Sequence, residues 1–111
     1  METIAKDEFD RVCICAGTVL AVEDLPNARH PAYVLTIDLG PHGIRRSSAR
    51  ITAHYTKEEL VGRQVVAVVN LPGRQIGKVM SQCLVTGFPD AQGDIVLASV
   101  ERAVPNGSRL M

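Results

Sequence analysis

Residues 56 to 70 read TKEELVGRQVVAVVN. Two elements abut within these fifteen positions. Thr56-x-x-Glu59 has the form of a capping box, in which a threonine hydroxyl and a glutamate carboxylate satisfy each other's free backbone N–H groups. Leu60, Val61 and Gly62 then end the helix almost as soon as it starts, because glycine readily takes the left-handed conformation beyond a helix C-terminus. Gln64 to Asn70 follows as a continuous apolar run, the pattern of a strand buried on both faces. A helix this short cannot serve as a crossover between parallel strands, which takes a dozen residues or more. It reads instead as a connector inside an all-β domain.

Working outward, the same strand grammar recurs on both sides. From Val12 to Glu23 apolar residues alternate, and the alternation changes phase at Gly17-Thr18, which predicts a bulge or sharp coil there. Residues 24–31, DLPNARHP, carry turn chemistry. Residues 32–40 predict a second strand with Tyr33, Leu35, Ile37 and Leu39 on one face. PHG at 41–43 is a tight turn, and residues 44–51 a polar third strand. Beyond the quoted stretch, 82–87 and 94–100 predict further strands. Residues 2–10 predict a short helical lead-in with Thr3 as its cap, and residues 101–111 an extended tail with a Pro-Asn-Gly turn. Five or more strands with one short helix between the third and fourth match a five-stranded Greek-key barrel of the OB type, with short helices and terminal extensions. The whole of 1–111 reads as one domain.

Twelve basic residues balance twelve acidic ones, and aromatics make up only 4% with no tryptophan. The first figure argues against strong non-specific nucleic-acid binding, and the second against a broad stacking platform. The charges are unevenly placed, however: Glu2, Asp7, Glu8 and Asp10 crowd the start, whereas Arg50, Lys57, Arg63, Arg74 and Lys78 outnumber Glu58 and Glu59 in the middle. Three cysteines without a framework, and a first decapeptide with no apolar core, lead us to expect reduced thiols in the cytoplasm. No apolar run approaches the ~18 residues of a membrane span.

Cys13-x-Cys15 places two thiols on one face of a strand, but a metal site needs more ligands than the spacing offers, so these read as buried structural thiols. His30, His42 and His54 read as surface residues of turns. No nucleophile–base pair, metal cluster or phosphate loop is evident, so no enzymatic activity, metal or cofactor is expected. On the third strand, Arg46 and Ser48 are candidate donors for a binding face. The strongest constellation is NLPGRQIGKVMSQ at 70–82. Asn70, Arg74, Lys78, Ser81 and Gln82 offer an amide, a fork-shaped donor, a point charge and neutral donors, between glycines that permit bends. It reads either as a hydrophilic hairpin loop or as a ligand-binding rim.

Taken in order, Gly17-Thr-Val, Pro31-Ala-Tyr-Val-Leu-Thr-Ile-Asp38, Arg46-Ser-Ser-Ala49, Leu60-Val-Gly62, Val68-Val-Asn70-Leu-Pro and Gly77-Lys-Val-Met-Ser81 resemble the EMAP-type tRNA-binding domain. Within that family the chain is similar to the CsaA proteins, through SSARIT at 47–52, VVAVVNLPGRQIGKVMSQCLV at 65–85, QGDIVL at 92–97 and VPNG at 104–107. Leu84 stands where many tRNA-binding relatives carry methionine, and Arg29-His30-Pro31-Ala32 where many carry an Asp-Lys pair. These departures and the zero net charge favour the CsaA branch.

The resemblance implies a chaperone that binds unfolded or precursor polypeptides, with a setting in protein export, and tRNA binding on the OB rim as the alternative. It assigns Asn70, Arg74, Lys78 and Ser81 to the ligand-facing segment. It also implies a homodimer with swapped arms, residues 1–10 and 101–111, whose apolar groups Ile4, Phe9, Val12, Val104, Pro105 and Leu110 meet the partner. For the polypeptide reading, Ile44, Ile76, Val79 and Met80 are the apolar groups expected on the binding face.

Overall fold

The computed structural model describes all 111 residues. Helix α1 spans Lys6–Asp10, and β1 Ile14–Asp24, β2 Tyr33–Asp38, β3 Ile44–Ala49, α2 Lys57–Leu60, β4 Gln64–Val68, β5 Arg74–Ile76, β6 Val79–Ser81, β7 Leu84–Val85, β8 Gly87–Pro89 and β9 Ile95–Leu97 follow. Five strands form one antiparallel sheet in the order β3-β2-β1-β4-β7, curled into a nearly closed barrel of the OB type. No helix is long and apolar enough to cross a membrane.

One long strand makes the curl possible. The first half of β1 pairs with β4, from Ile14 opposite Val68 to Thr18 opposite Gln64, and its second half pairs with β2 out to Asp24. The bulge falls at Leu20, between Val19 and Ala21, rather than at Gly17-Thr18. Gly17 instead permits close packing, since a Cβ there would lie 2.6 Å from the Leu39 side chain and 2.9 Å from the Asp38 carbonyl. Only a residue without a side chain lets β1 lie this close to the end of β2.

The quoted stretch forms the capped short helix, the glycine stop and the strand that its sequence predicts. The Thr56 hydroxyl accepts from the Glu59 N–H, and the Glu59 carboxylate accepts from the Thr56 N–H. The cap aims Leu60 into the core, where it is fully buried, and Gly62 (φ 87°) turns the chain out again. The Gly62 N–H donates to the Val19 carbonyl and the Val19 N–H to the Arg63 carbonyl, which ties the helix exit to the strand beside the bulge. Tyr33, Leu35, Ile37 and Leu39 are all buried in the cluster with Val65, Ala67 and Val69.

Several boundaries differ from expectation. Helix α1 starts after Ala5, not Thr3, because the Glu8 carboxylate takes the Ala5 N–H at 3.0 Å. Strand β3 stops at Ala49, β7 holds only Leu84 and Val85, and β9 only Ile95–Leu97. Beyond β7 the chain pairs locally, β8 with β9, instead of extending the barrel.

The C-terminal arm lies on the barrel of its own chain. The tail runs antiparallel to the start of β1, with the Gly107 N–H on the Ala16 carbonyl, the Ala16 N–H on the Ser108 carbonyl and the Leu110 N–H on the Ile14 carbonyl. The Gln64 amide holds Val104 through both its N–H and its carbonyl. Arg109 donates to the Asp10 carbonyl and so caps the C-terminus of α1. Ile4, Val12, Pro105 and Leu110 remain exposed, while Phe9 and Val104 are half-buried.

Candidate ligand-binding groove

The segment after β4 is an ordered β-hairpin. Arg74 pairs with Ser81, Gln75 with Met80 and Ile76 with Val79 around a two-residue turn, Gly77-Lys78, in which Gly77 has φ 58°. That left-handed conformation is what a two-residue hairpin turn needs and what glycine supplies without strain. Strand alternation then sorts the candidates. Arg74, Ile76, Val79 and Ser81 share one face, and Gln75 and Met80 the other. The first face looks at β3.

Three cavities line up along β3, and Ser48 lies on the wall of all three. The largest, about 530 Å³, sits between the 25–32 loop, the end of β3 and the hairpin. Arg29, His30, Arg50 and Arg74 converge on it and no carboxylate does. A second, about 320 Å³, lies under the hairpin between Arg74, Ser48, Ser81 and an apolar wall of Leu71, Pro72, Ile76 and Leu84. The third, about 370 Å³, continues past Leu84 toward Ile95. The result is a groove with a cationic mouth and an apolar floor. Arg29, Arg50, Arg74 and Lys78 take part in none of the ion pairs of the molecule, so the field at the mouth is not locally neutralised.

The candidates from the sequence separate into five places. Arg74, Ser48 and Ser81 stand on the groove wall. Ser81 and Gln82 also close the barrel: the Ser81 hydroxyl accepts from the Ser48 N–H, the Gln82 side chain accepts from the Arg46 N–H at 3.0 Å, and the Gln82 N–H donates to the Arg46 carbonyl at 2.8 Å. The Arg46 guanidinium turns from the groove toward Glu23, at 3.7 Å. Lys78 stands at the hairpin tip. Asn70 stands at the root of the N-terminal arm: its amide oxygen accepts from the Cys13 N–H at 2.8 Å and its amide nitrogen donates to the Arg11 carbonyl at 2.7 Å. Both ends of the amide are used to clasp the root of the N-terminal arm. Val79 is a correction, since it is buried beneath the hairpin, whereas Ile44 and Met80 are exposed as expected.

Arg29, His30 and Arg50 are the groove residues that the sequence alone leaves out. The first two sit in a turn-forming loop and the third at the end of a strand full of basic residues. Only the curl of the sheet brings them to Arg74.

At the other end of β1, His42 is not a free surface residue. Its Nε2 lies 3.6 Å from the Cys15 sulfur, which is itself 3.6 Å from the Cys13 sulfur. This is not an activated thiol–imidazole pair. Burial and the adjoining Cys13 thiol push the Cys15 thiol up to about 11, although Arg109 and Arg45 oppose the shift. A nucleophilic cysteine needs the opposite displacement. Burial likewise raises Cys83.

The model of the putative tRNA-binding domain matches residues 14–109. The methionine–tRNA ligase of Thermococcus kodakarensis is 32% identical over 110 residues, which are 99% of this chain and 14% of the ligase. The chain thus spans about a seventh of that relative. Two solved structures match end to end. The chaperone CsaA of Bacillus anthracis is 39% identical, with 99% of this chain and 100% of that chain covered and a TM-score of 0.91. The CsaA chaperone protein of Picrophilus torridus is 34% identical, with 98% and 100% covered and a TM-score of 0.90.

Proposed function

The chain belongs to the putative tRNA-binding domain family, and from that premise we propose that it is a non-enzymatic, CsaA-like chaperone module that holds extended segments of unfolded polypeptide in the β3 groove. The observation that carries this reading is the groove itself. An apolar floor of Leu71, Ile76 and Leu84 runs on from a mouth of unpaired cations. Alternate side chains of an extended peptide suit such a surface: apolar ones fill the floor, and acidic ones or carbonyls meet Arg74 and Arg50. The end-to-end likeness to two CsaA chaperones supports it. The test is suppression of aggregation of a chemically unfolded client at stoichiometric amounts, with peptide binding followed by calorimetry. No suppression and no binding heat would overturn it.

A second reading has its own observation, the four basic side chains without a carboxylate at the mouth. They suit the phosphates of a folded RNA, and the family model and the ligase relative support tRNA as that RNA. This reading predicts affinity that falls steeply with salt, and a slope smaller by about one in Arg74→Ala. Competition between an unfolded client and tRNA separates one shared groove from two sites. The exposed apolar groups of the arms, Ile4, Val12 and Leu110, support a homodimer, which sedimentation equilibrium of the wild-type chain tests.

A further inference from the structure

The thiol–imidazole cluster at the root of the arm is unused by the groove. Cys13 lies between α1 and β1, Cys15 within β1, and His42 in the turn between β2 and β3. One ligand atom from each lies within 4.8 Å of the others. A tetrahedral Zn²⁺ with Zn–S of about 2.3 Å and Zn–N of about 2.0 Å sets the S···S edge near 3.8 Å and the S···N edge near 3.5 Å. The two distances here are both 3.6 Å. The third edge, from the Cys13 sulfur to the imidazole, lies within 4.8 Å, so the three atoms form one compact triangle.

The three ligands are also held in place. The backbone of Cys13 is fixed on both sides, its N–H by the Asn70 side chain and its carbonyl by the Val69 N–H. Cys15 is paired with Ala67 on one edge and Arg109 on the other. The turn that carries His42 is closed by the His42 N–H on the Leu39 carbonyl and by the Arg45 side chain on the His42 carbonyl. Preset backbone geometry of this kind is what a metal site requires of its ligands. The exposed group His54, Asp90 and Asp94 differs, because the Asp90 carboxylate already serves His54 and two backbone N–H groups.

We propose that Cys13, Cys15 and His42 form a three-ligand Zn²⁺ site that pins the N-terminal arm to the β2–β3 turn. Two thiolates and an imidazole select a thiophilic cation over Mg²⁺ or Ca²⁺. Binding releases the two thiol protons to solvent and leaves one coordination position for water or an incoming ligand.

The test is Zn²⁺ titration of the reduced full-length chain against a chromophoric chelator, with Co²⁺ as the spectroscopic probe. The expected result is one Zn²⁺ per chain, thiolate-to-cobalt charge transfer, and a rise in melting temperature with Zn²⁺. Cys13→Ser and His42→Gln should each weaken Zn²⁺ by about tenfold or more. Cys83→Ser, outside the cluster, should bind as wild type does. His42→Gln changes a half-buried turn residue, so a circular dichroism spectrum like that of wild type makes it the deciding variant. Wild-type affinity no greater than that of Cys13→Ser, or unchanged affinity in a folded His42→Gln, overturns the site.

Discussion

Replacing Asn70 with alanine severs both hydrogen bonds that hold the arm root, the one accepted from Cys13 and the one donated to Arg11. A neutral hydrogen bond contributes about 0.5–1.5 kcal/mol net, so two contribute about 1–3. Asn70 is exposed, and water re-satisfies the freed backbone groups, which places the expected loss in the lower part of that range, about 1–2 kcal/mol. An unfolding entropy of about 2.1 cal/mol/K per residue over the whole chain converts this to a fall in Tm of about 4–9 °C. Asn70→Asp keeps the acceptor for Cys13 but sets a carboxylate against the Arg11 carbonyl, so it should fall at least half as far. The measurements are thermal unfolding at one fixed protein concentration and hydrogen exchange at the Cys13 amide, which should lose protection in Asn70→Ala and keep it in Asn70→Asp. Affinity for peptide or RNA should stay within about twofold of wild type in the folded variants. An unchanged Tm with a protected Cys13 amide, joined to a large loss of affinity, would refute the clasp and return Asn70 to the ligand face.

Gly17→Ala forces a methyl group against Leu39, Ile37 and the Asp38 carbonyl, and should cost about 1–3 kcal/mol in a urea melt by overpacking. A wild-type midpoint would show that β1 and β2 part easily there. The His54 hydrogen bond holds the Asp90 carboxyl below its usual 3.8. A depressed carboxylate contributes stability that is fully present above the unfolded value and is lost as pH falls through the lower folded value. Asp90→Asn should therefore flatten the fall of Tm below pH 3.8, and an unaltered acid limb would show that the pair adds nothing. Arg50→Ala and Arg29→Ala should weaken binding of anionic ligands at low salt and leave Tm within about 1 °C, as expected of exposed side chains without partners. Unchanged affinity in both would move the site away from the groove mouth.

The barrel was legible because its determinants are local. A capping box, a stopping glycine and an alternating strand each need only neighbours in sequence, and Leu60, Gly62, Leu35 and Ile37 all sit where those patterns put them. The bulge was legible in kind but misplaced. A glycine required for close approach to Leu39 has the same sequence signature as a glycine required for a bulge. The site was less legible because its determinants are not local. Nothing near Gln82 says that its amide will close the barrel against Arg46, 36 residues away. Nor does anything near His42 announce a sulfur 27 residues away. The partners of Asn70 were hidden for a related reason. A polar amide at the end of a buried strand looks available for a ligand until the arm it clasps, 57 to 59 positions distant, is in place.

The scarcity of aromatics also constrains the ligand more than the net charge does. A single-strand binder reads bases by stacking them on aromatic rings, each worth about 1–3 kcal/mol. Both tyrosines here are built into the framework: the Tyr33 hydroxyl donates to the Tyr55 carbonyl, and the Tyr55 hydroxyl accepts from the Leu97 N–H. No phenylalanine lines any of the three cavities along β3. An RNA in this groove would be held by its phosphates, and its affinity would come almost wholly from counterion release, so it should vanish at high salt. A polypeptide would also bury side chains on Leu71, Ile76 and Leu84, and apolar burial does not weaken with salt. The salt dependence of binding to the wild-type groove therefore separates the two ligand classes before any residue is changed. Binding that persists when the charges are screened belongs to the floor of the groove, and binding that disappears belongs to its mouth.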